Sequence, residues 1–529
     1  MSTDFAALDA RSPLPPDELP RQWVLRRDGG PLPEGWQHRM HHGWHLAAHP
    51  DAHVCELTGV DGNRLGWLLE PQVRLGGERD GVVGESLVLD LTAACGPEEI
   101  ERALYGRDRR GHTDGDGVEG TWVAVVVAGA GPNALRRVYV GAMHSIVFSA
   151  EARVVATTAN LVPDLRRDEA LSHAFDPLAT NASYTFGLTA HRGVRRLLPN
   201  HYLDLDDFEA RRHWPVAALP PLDDGRAAAM AVVEHGRRLV RALATAHREY
   251  RVFLSAGRDS RAVLALLRPF VAEGVVDVRL STTTSDDLGR RTDLQAARRL
   301  ARMTGLAHDV DRRQAHDASD VEVQRMFLRI GEAKAGPVLS TPALVAGEQR
   351  DTGRFKLAGM AGETARGFYW GPPDRHGVRT PPPRVDADLL LERTESPRTP
   401  TTLTAADAWL QGLPAGLRDR PADVLDLAYV EQRLGCWEAP SRYLWPGRPL
   451  VSSPMAACRN LELMLRLPID HRARGRLQHD MVAFAWPELL RVPFNRPTGW
   501  LALPGRARRL ARAPRAVRRR VSERREARR

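Results

Sequence analysis

Lysine is almost missing from this chain. Of 75 basic residues, only Lys334 and Lys356 are lysines. An arginine therefore says little by itself here, because nearly every positive charge is one. Cysteine is scarce too. Cys55, Cys95, Cys436 and Cys458 are scattered, with no Cys-x-x-Cys and no Cys/His spacing. That excludes a zinc finger or ribbon and gives no disulfide framework, so a reducing, cytoplasmic setting is expected. Long apolar runs are absent as well. The longest, Trp122–Ala130, falls far short of the roughly 20 residues that span a bilayer. The first residues, Met-Ser-Thr-Asp-Phe, lack the basic-then-apolar order of a secretory signal. No Walker A sequence occurs, and no basic-aromatic array interrupts the body of the chain. Neither a specific nucleic-acid partner nor a transmembrane segment is expected.

What is present is the composition of a globular protein. Of 529 residues, 43% are apolar and 27% charged, which excludes collagen, an extended coiled coil and wholesale disorder. The length calls for at least two domains. The formal charge of +9 first points to an anionic partner, but it is local. Residues 506–529 hold twelve arginines and two glutamates, a net of +10, which leaves the preceding residues at −1. The basicity belongs to a tail.

Residues 1–35 are rich in Pro, Gly and Asp and read as irregular. From Trp44 to Val73 the pattern alternates, with Val60-Asp61-Gly62-Asn63 as the turn of a hairpin. Further strands are expected at 121–128, 137–140, 145–148 and 154–157, and a last hairpin over 200–214. Residues 1–214 thus read as a β-rich domain. Residues 215–224 form a linker by composition, and the rhythm then changes. Helices are expected at 226–248, 262–270, 293–303 and 321–330, with strands at 252–254, 275–280, 307–310 and 355–358. Such alternation predicts a parallel sheet covered on both faces, in a second domain over 226–505. Residues 420–490 read as mostly helical, and the Pro/Arg/Thr-rich stretch 371–403 as a surface loop.

The sharpest local signal is Val252-Phe253-Leu254-Ser255-Ala256-Gly257-Arg258-Asp259-Ser260-Arg261, followed by an apolar helix. A strand that ends in small and hydroxyl residues and turns into a helix aims backbone N–H groups and the positive helix end at one point, an anion site. Ser255 and Ser260 add hydroxyl donors. Asp259 would repel a bare phosphate, which points to a bridging Mg²⁺. The plain alternative is a helix cap.

Residues 254–267, LSAGRDSRAVLALL, resemble the SGGxDS pyrophosphate loop of the asparagine synthetases and their ATP-pyrophosphatase relatives. The likeness continues in order over roughly 45–500. Residues 281–308 resemble the family's second strand and its Asp-x-x-x-Ala helix. FKLAGMAGETARGFYW (355–370) resembles its second glycine-rich loop, and 429–437, 449–468 and 484–500 its C-terminal helices and last loop. Residues 120–127, 136–158 and 200–214 resemble its N-terminal glutaminase-type domain. The resemblance implies an α/β protein: an N-terminal Ntn-hydrolase-like α+β sandwich, then a parallel-sheet ATP-pyrophosphatase (adenine nucleotide α-hydrolase-like) domain. It implies ATP and Mg²⁺ as cofactors, adenylation of a carboxylate with release of pyrophosphate, and attack by an amine. Ser255, Ala256, Gly257, Asp259 and Ser260, with Gly359 and Gly362, would surround the nucleotide. Asp259 and Glu363 would be the catalytic acids and the metal ligands.

The departures shape the functional expectation. The family's glutaminases carry Cys directly after the initiator Met, and here Ser2 stands there; a hydroxyl is much the weaker nucleophile. Ala256 replaces a glycine, and Met360 stands where asparagine synthetases carry Glu. No lysine follows position 356 to serve as the family's C-terminal lysine, which leaves Arg491 or Arg496 to supply that charge. These changes imply an amide ligase independent of glutamine, acting on a small-molecule or peptide carboxylate and an amine. The lasso-peptide cyclases and β-lactam synthetases of this superfamily work in that way. An ammonia-using asparagine synthetase and a non-catalytic scaffold are the alternatives.

Two other patterns carry less. Val125–Ala134, VVVAGAGPNA, mimics a dinucleotide-binding glycine motif but runs into another strand-like segment, so it reads as a hairpin turn. His38, His41, His42, His45, His49 and His53 cluster among Gly and Pro and read as strand and turn rather than a metal site.

Overall fold

The computed structural model describes residues 14–502, apart from 28–29, 31, 77–79, 108–115, 130–133, 176–181, 285–286, 313–324, 326, 334–354 and 444–450. Ser2, the arginine-rich tail and the first part of the helix expected at 321–330 lie outside the described residues.

The chain is mixed α/β. Its first half holds a six-stranded antiparallel sheet, in the order 195–197, 146–149, 154–156, 23–26, 44–48, 37–41. A seven-stranded sheet faces it, in the order 210–212, 201–204, 135–140, 123–128, 64–69, 54–59, 86–89. Trp23, Leu25, Leu46 and Phe148 from one sheet and Trp67, Val123, Val125 and Val138 from the other make one buried core. The alternate residues Ala124, Val126 and Tyr139 point the other way, under Ile100 and Leu104 of the helix Pro97–Tyr105. Both faces are covered, which is why Val123–Ala128 is apolar at every position rather than at every second one. Residues 123–128 pair with 135–140 antiparallel, so the glycine-rich VVVAGAGPNA segment joins two strands of a hairpin. The histidine-rich segment likewise forms the strands Gln37–His41 and Trp44–Ala48.

Residues 1–35 are not irregular throughout. Trp23–Arg26 lies between 154–156 and 44–48 in the six-stranded sheet, with Trp23, Val24 and Leu25 fully buried. A four-residue run of strand formers is lost in the composition of its Pro- and Asp-rich surroundings.

In the second half, Asp224 accepts from the N–H groups of Arg226 and Ala227 and starts the helix Gly225–Leu243, which buries Val232, Gly236, Leu239 and Leu243. A five-stranded sheet follows, in the order 307–312, 277–284, 249–253, 355–357, 451–452, with every pair parallel. Chain order across the sheet is therefore third, second, first, fourth, fifth, and the direction of strand addition reverses beside the first strand. The crevice at the carboxyl ends of the strands at such a reversal is where open α/β sheets receive ligands.

The stretch 371–403 is not one loop. Asp386 caps the helix Ala387–Arg393, and Thr399 caps Pro400–Gln411 with Pro400 in its first position. Proline suits that position because the missing N–H would have no helical partner. The largest apolar core joins Val73, Met143, Phe186 and Trp214 of the first half to Val232, Leu266 and Leu425 of the second. No helix among the described residues is long and apolar enough to cross a membrane.

Candidate active site

The strand Glu249–Phe253 leads through Leu254–Gly257 into the helix Arg258–Leu266. The turn is held by its own two serines and by Asp293 of the helix Leu288–Thr304. The Ser255 N–H donates to Ser260 Oγ at 3.2 Å, the Gly257 N–H to Ser255 Oγ at 3.0 Å, and the Ala256 N–H to Asp293 Oδ1 at 2.9 Å. The two serine hydroxyls lie 3.1 Å apart. Backbone donors for an anion are those of the helix's first turn, which have no intrahelical acceptor. Ala256 is buried and is not in a positive-φ conformation, so its methyl group is accommodated.

The second loop follows the neighbouring strand Phe355–Leu357. It presses directly on the first. A Cβ on Gly359 would lie 2.8 Å from the Ser260 nitrogen, and one on Gly362 would lie 2.3 Å from Asp259 Oδ1. Ala361 between them has φ 71°, a left-handed conformation that favours glycine. Two loops from the strands flanking the reversal thus meet backbone to backbone, and they bring Asp259 towards Glu363.

The guanidinium of Arg366 stands between those acids. Its Nη2 is 3.0 Å from Asp259 Oδ2 and 2.6 Å from Glu363 Oε1, and Nη1 donates to Asp259 Oδ1 at 3.4 Å. Gln478 Nε2 also donates to Asp259 Oδ1, at 3.0 Å, and Tyr429 Oη donates to Glu363 Oε2 at 3.0 Å. Burial raises the Asp259 carboxyl above its ordinary value; Arg366 opposes that shift and Glu363 adds to it. Burial alone would lower Arg366, but the charges of Asp259 and Glu363 outweigh it and hold the guanidinium above its ordinary value. Burial, reinforced by Glu363, pushes the Tyr429 phenol well up, so it stays a hydrogen donor.

Asp259 and Glu363 have the hard oxygen chemistry that Mg²⁺ takes. In this arrangement they do not fit it. Three of their four oxygens accept hydrogen bonds from the chain's own donors, and the fourth, Asp259 Oδ2, is ion-paired with Arg366. Among the described residues no third Asp, Glu, His or Cys joins them in a metal-binding group.

Arg491 and Arg496 are both exposed. Arg496 follows Asn495, whose N–H donates to the Ala256 carbonyl at 2.9 Å, so the last loop lies against the first. Arg366, Tyr429 and Gln478 were not among the residues singled out from the sequence. Of the three only Arg366 has a local sign, its three-residue spacing from Glu363 on one short helix.

A cleft opens beside the second loop, lined by Ser183, Thr185, Phe368, Tyr369, Gln432 and Arg433 among others. Gln432 is fully buried. Its Oε1 accepts from the Phe186 N–H at 2.7 Å, while Nε2 has no acceptor among the described residues. The rings of Phe368 and Tyr369 lie 5.2 and 6.0 Å from that of Tyr429, so one aromatic layer separates the cleft from Glu363.

No protein-family model matches the chain, and no curated protein matches it. Among solved structures, 40% of the chain is similar to 83% of a U34-tRNA thiolase, NcsA from Methanococcus maripaludis, at 13% identity and a TM-score of 0.20. Likewise 40% is similar to 88% of NAD⁺ synthetase from Burkholderia pseudomallei, at 17% identity and a TM-score of 0.17. Likenesses this slight carry no weight for fold or function here.

Proposed function

We propose that this protein is an ATP-dependent ligase that forms AMP and pyrophosphate, activating a carboxylate as its adenylate for attack by an amine. The observation that carries this reading is the meeting of two loops at the carboxyl ends of the strands where the parallel sheet reverses. One bears Ser255, Gly257, Asp259 and Ser260, and the other Gly359, Gly362 and Glu363. The resemblance of both segments to the loops of the asparagine synthetases supports it. ATP phosphates would meet the hydroxyls of Ser255 and Ser260 and the first-turn amides of the helix. The chemistry needs a stabilised pyrophosphate leaving group, and cationic groups at the loops serve that purpose. The divalent ion that ATP brings would reach the site on the phosphates.

Pyrophosphate release from ATP in the presence of candidate amino acids and peptides tests the reading. Release that depends on a carboxylate and an amine supports it. A protein that binds no ATP at all refutes it. Formation of asparagine from aspartate and ammonia would instead identify an ammonia-using synthetase.

A further inference from the structure

In the acid pair, a positive charge is already in place. Arg366 bridges Asp259 and Glu363, which come from loops more than a hundred residues apart, at 3.0 and 2.6 Å. Its side chain is confined. A Cβ on Gly475 would lie 3.2 Å from Arg366 Cβ, and Gly475 has φ +55, so the chain passes close by without a side chain. Two further guanidinium groups feel the charge of Arg366: Arg258 and Arg379 are both lowered, by burial first and then by Arg366. Of these three guanidinium groups, Arg366 is the one in contact with the two carboxylates. A divalent ion bound by those carboxylates would add two more positive charges, and it would need oxygens that now accept hydrogen bonds from Arg366, Gln478 and Tyr429. Displacing Arg366 would leave a guanidinium, only 21% exposed in its side chain, without the carboxylates that hold it.

We propose that Arg366 is the resident cation of this site, occupying the position between Asp259 and Glu363 that a divalent metal would otherwise take. The protein then carries at its phosphate-facing loops a charge that does not dissociate, and a metal arrives only on the nucleotide. The arrival of a metal on the nucleotide rests on the ATP reading above. The occupancy of the acid pair does not.

The test is therefore made without nucleotide. Mn²⁺ is titrated into the full-length protein and followed by the electron paramagnetic resonance signal of free Mn²⁺ and by calorimetry, for the wild type, Glu363→Gln, Arg366→Gln and the double variant. The wild type should show no uptake that Glu363→Gln removes. Arg366→Gln keeps a hydrogen-bonding side chain but drops the charge, and should bind Mn²⁺ at least about tenfold more tightly than the wild type. The double variant should lose that gain. Wild-type binding that weakens tenfold in Glu363→Gln would overturn the proposal, as would an Arg366→Gln variant that binds no better than the wild type. If thermal melts show Arg366→Gln to be unfolded, the comparison of wild type with Glu363→Gln decides alone. Failure to bind ATP leaves this result untouched, and a metal-binding acid pair leaves the ATP reading standing.

Discussion

Gln478 donates from its single amide nitrogen to Asp259 Oδ1 at 3.0 Å and to the Gly362 carbonyl at 2.6 Å. It is fully buried on the helix Leu477–Ala485. One side chain from late in the sequence therefore pins the acid of the first loop to the backbone of the second. Hydrogen bonds to charged groups contribute about 1.5–3 kcal/mol each. Gln478→Leu should keep the fold but let the loops move apart, weakening ATP binding roughly 10–100-fold. Calorimetric titration alongside a thermal melt checks this, and an ATP affinity equal to wild type in a folded variant would remove Gln478 from the site.

Asp259 itself separates function from stability. As an acid in the first turn of a helix it contributes about 0.3–1 kcal/mol, and its burial and the nearby Glu363 already work against its charge. Asp259→Ala also gives up its bonds with Gln478 and Arg366, a loss of about 1.5–3 kcal/mol, so it should melt below wild type yet remain folded while pyrophosphate release disappears. A well-folded variant with near-normal turnover would refute the site.

The two halves of the chain are locked at Glu431. This fully buried carboxylate accepts from Arg212 at 2.5 and 2.8 Å, from Asn200 at 3.0 Å and from the Trp409 indole at 2.7 Å. Burial alone would raise it, but the Arg212 guanidinium outweighs that and holds it below its ordinary value. Glu431→Gln leaves Arg212 buried without its counter-charge, which costs about 3–5 kcal/mol. Urea unfolding should show a loss of that size; a loss under about 1 kcal/mol would mean that solvent screens the pair.

Much of this was legible in the sequence, for identifiable reasons. The strand expected at 252–254 stood out because a short apolar run ends abruptly in small and hydroxyl residues; the structure starts it earlier, at Glu249, and starts the helix expected at 262–270 at Arg258. Asp259 stood out within that turn, and Glu363 through the resemblance of residues 355–370 to the second glycine-rich loop of the asparagine synthetases. Arg366 did not, because in a chain with 73 arginines one more is unremarkable. Gln478 and Tyr429 act only through a fold that brings them from more than sixty residues away, and no local pattern marks either. Residues 371–403 read as a loop because of their Pro/Arg/Thr-rich composition, whereas Pro400 begins a helix.

Acid should unfold this protein through its buried histidines. His144 is fully buried, with Nε2 3.0 Å from Tyr443 Oη. Burial, helped by Arg442 and Arg21, lowers it well below its ordinary value. The folded protein keeps it neutral, while the unfolded chain takes up a proton near pH 6.5. Below that pH the unfolded state binds more protons, so stability falls as the pH falls. The melting temperature should drop between pH 7 and pH 5, and His144→Gln should show a shallower drop. An identical slope in the two proteins would assign the acid sensitivity to other groups.

Hydrolysis of glutamine by a cysteine requires a thiolate, since the protonated thiol is a poor nucleophile. Cys55, Cys436 and Cys458 are buried, and burial pushes each thiol up to about 12. Cys95 is half-buried, and burial raises it too, with Glu99 adding to the shift. These are the four cysteines of the chain. A thiol with a pKa near 12 is ionised in only about one molecule in 10⁴–10⁵ at neutral pH, and none of the three so shifted is accessible to a substrate. Glutamine should therefore release no glutamate, and if the protein forms amides the amine must come from a substrate or from ammonia. A glutamate dehydrogenase-coupled assay on the purified protein decides the matter. Glutamate production above background that iodoacetamide abolishes would show that one of these thiols is exposed and activated during turnover, and would return glutamine to the reaction.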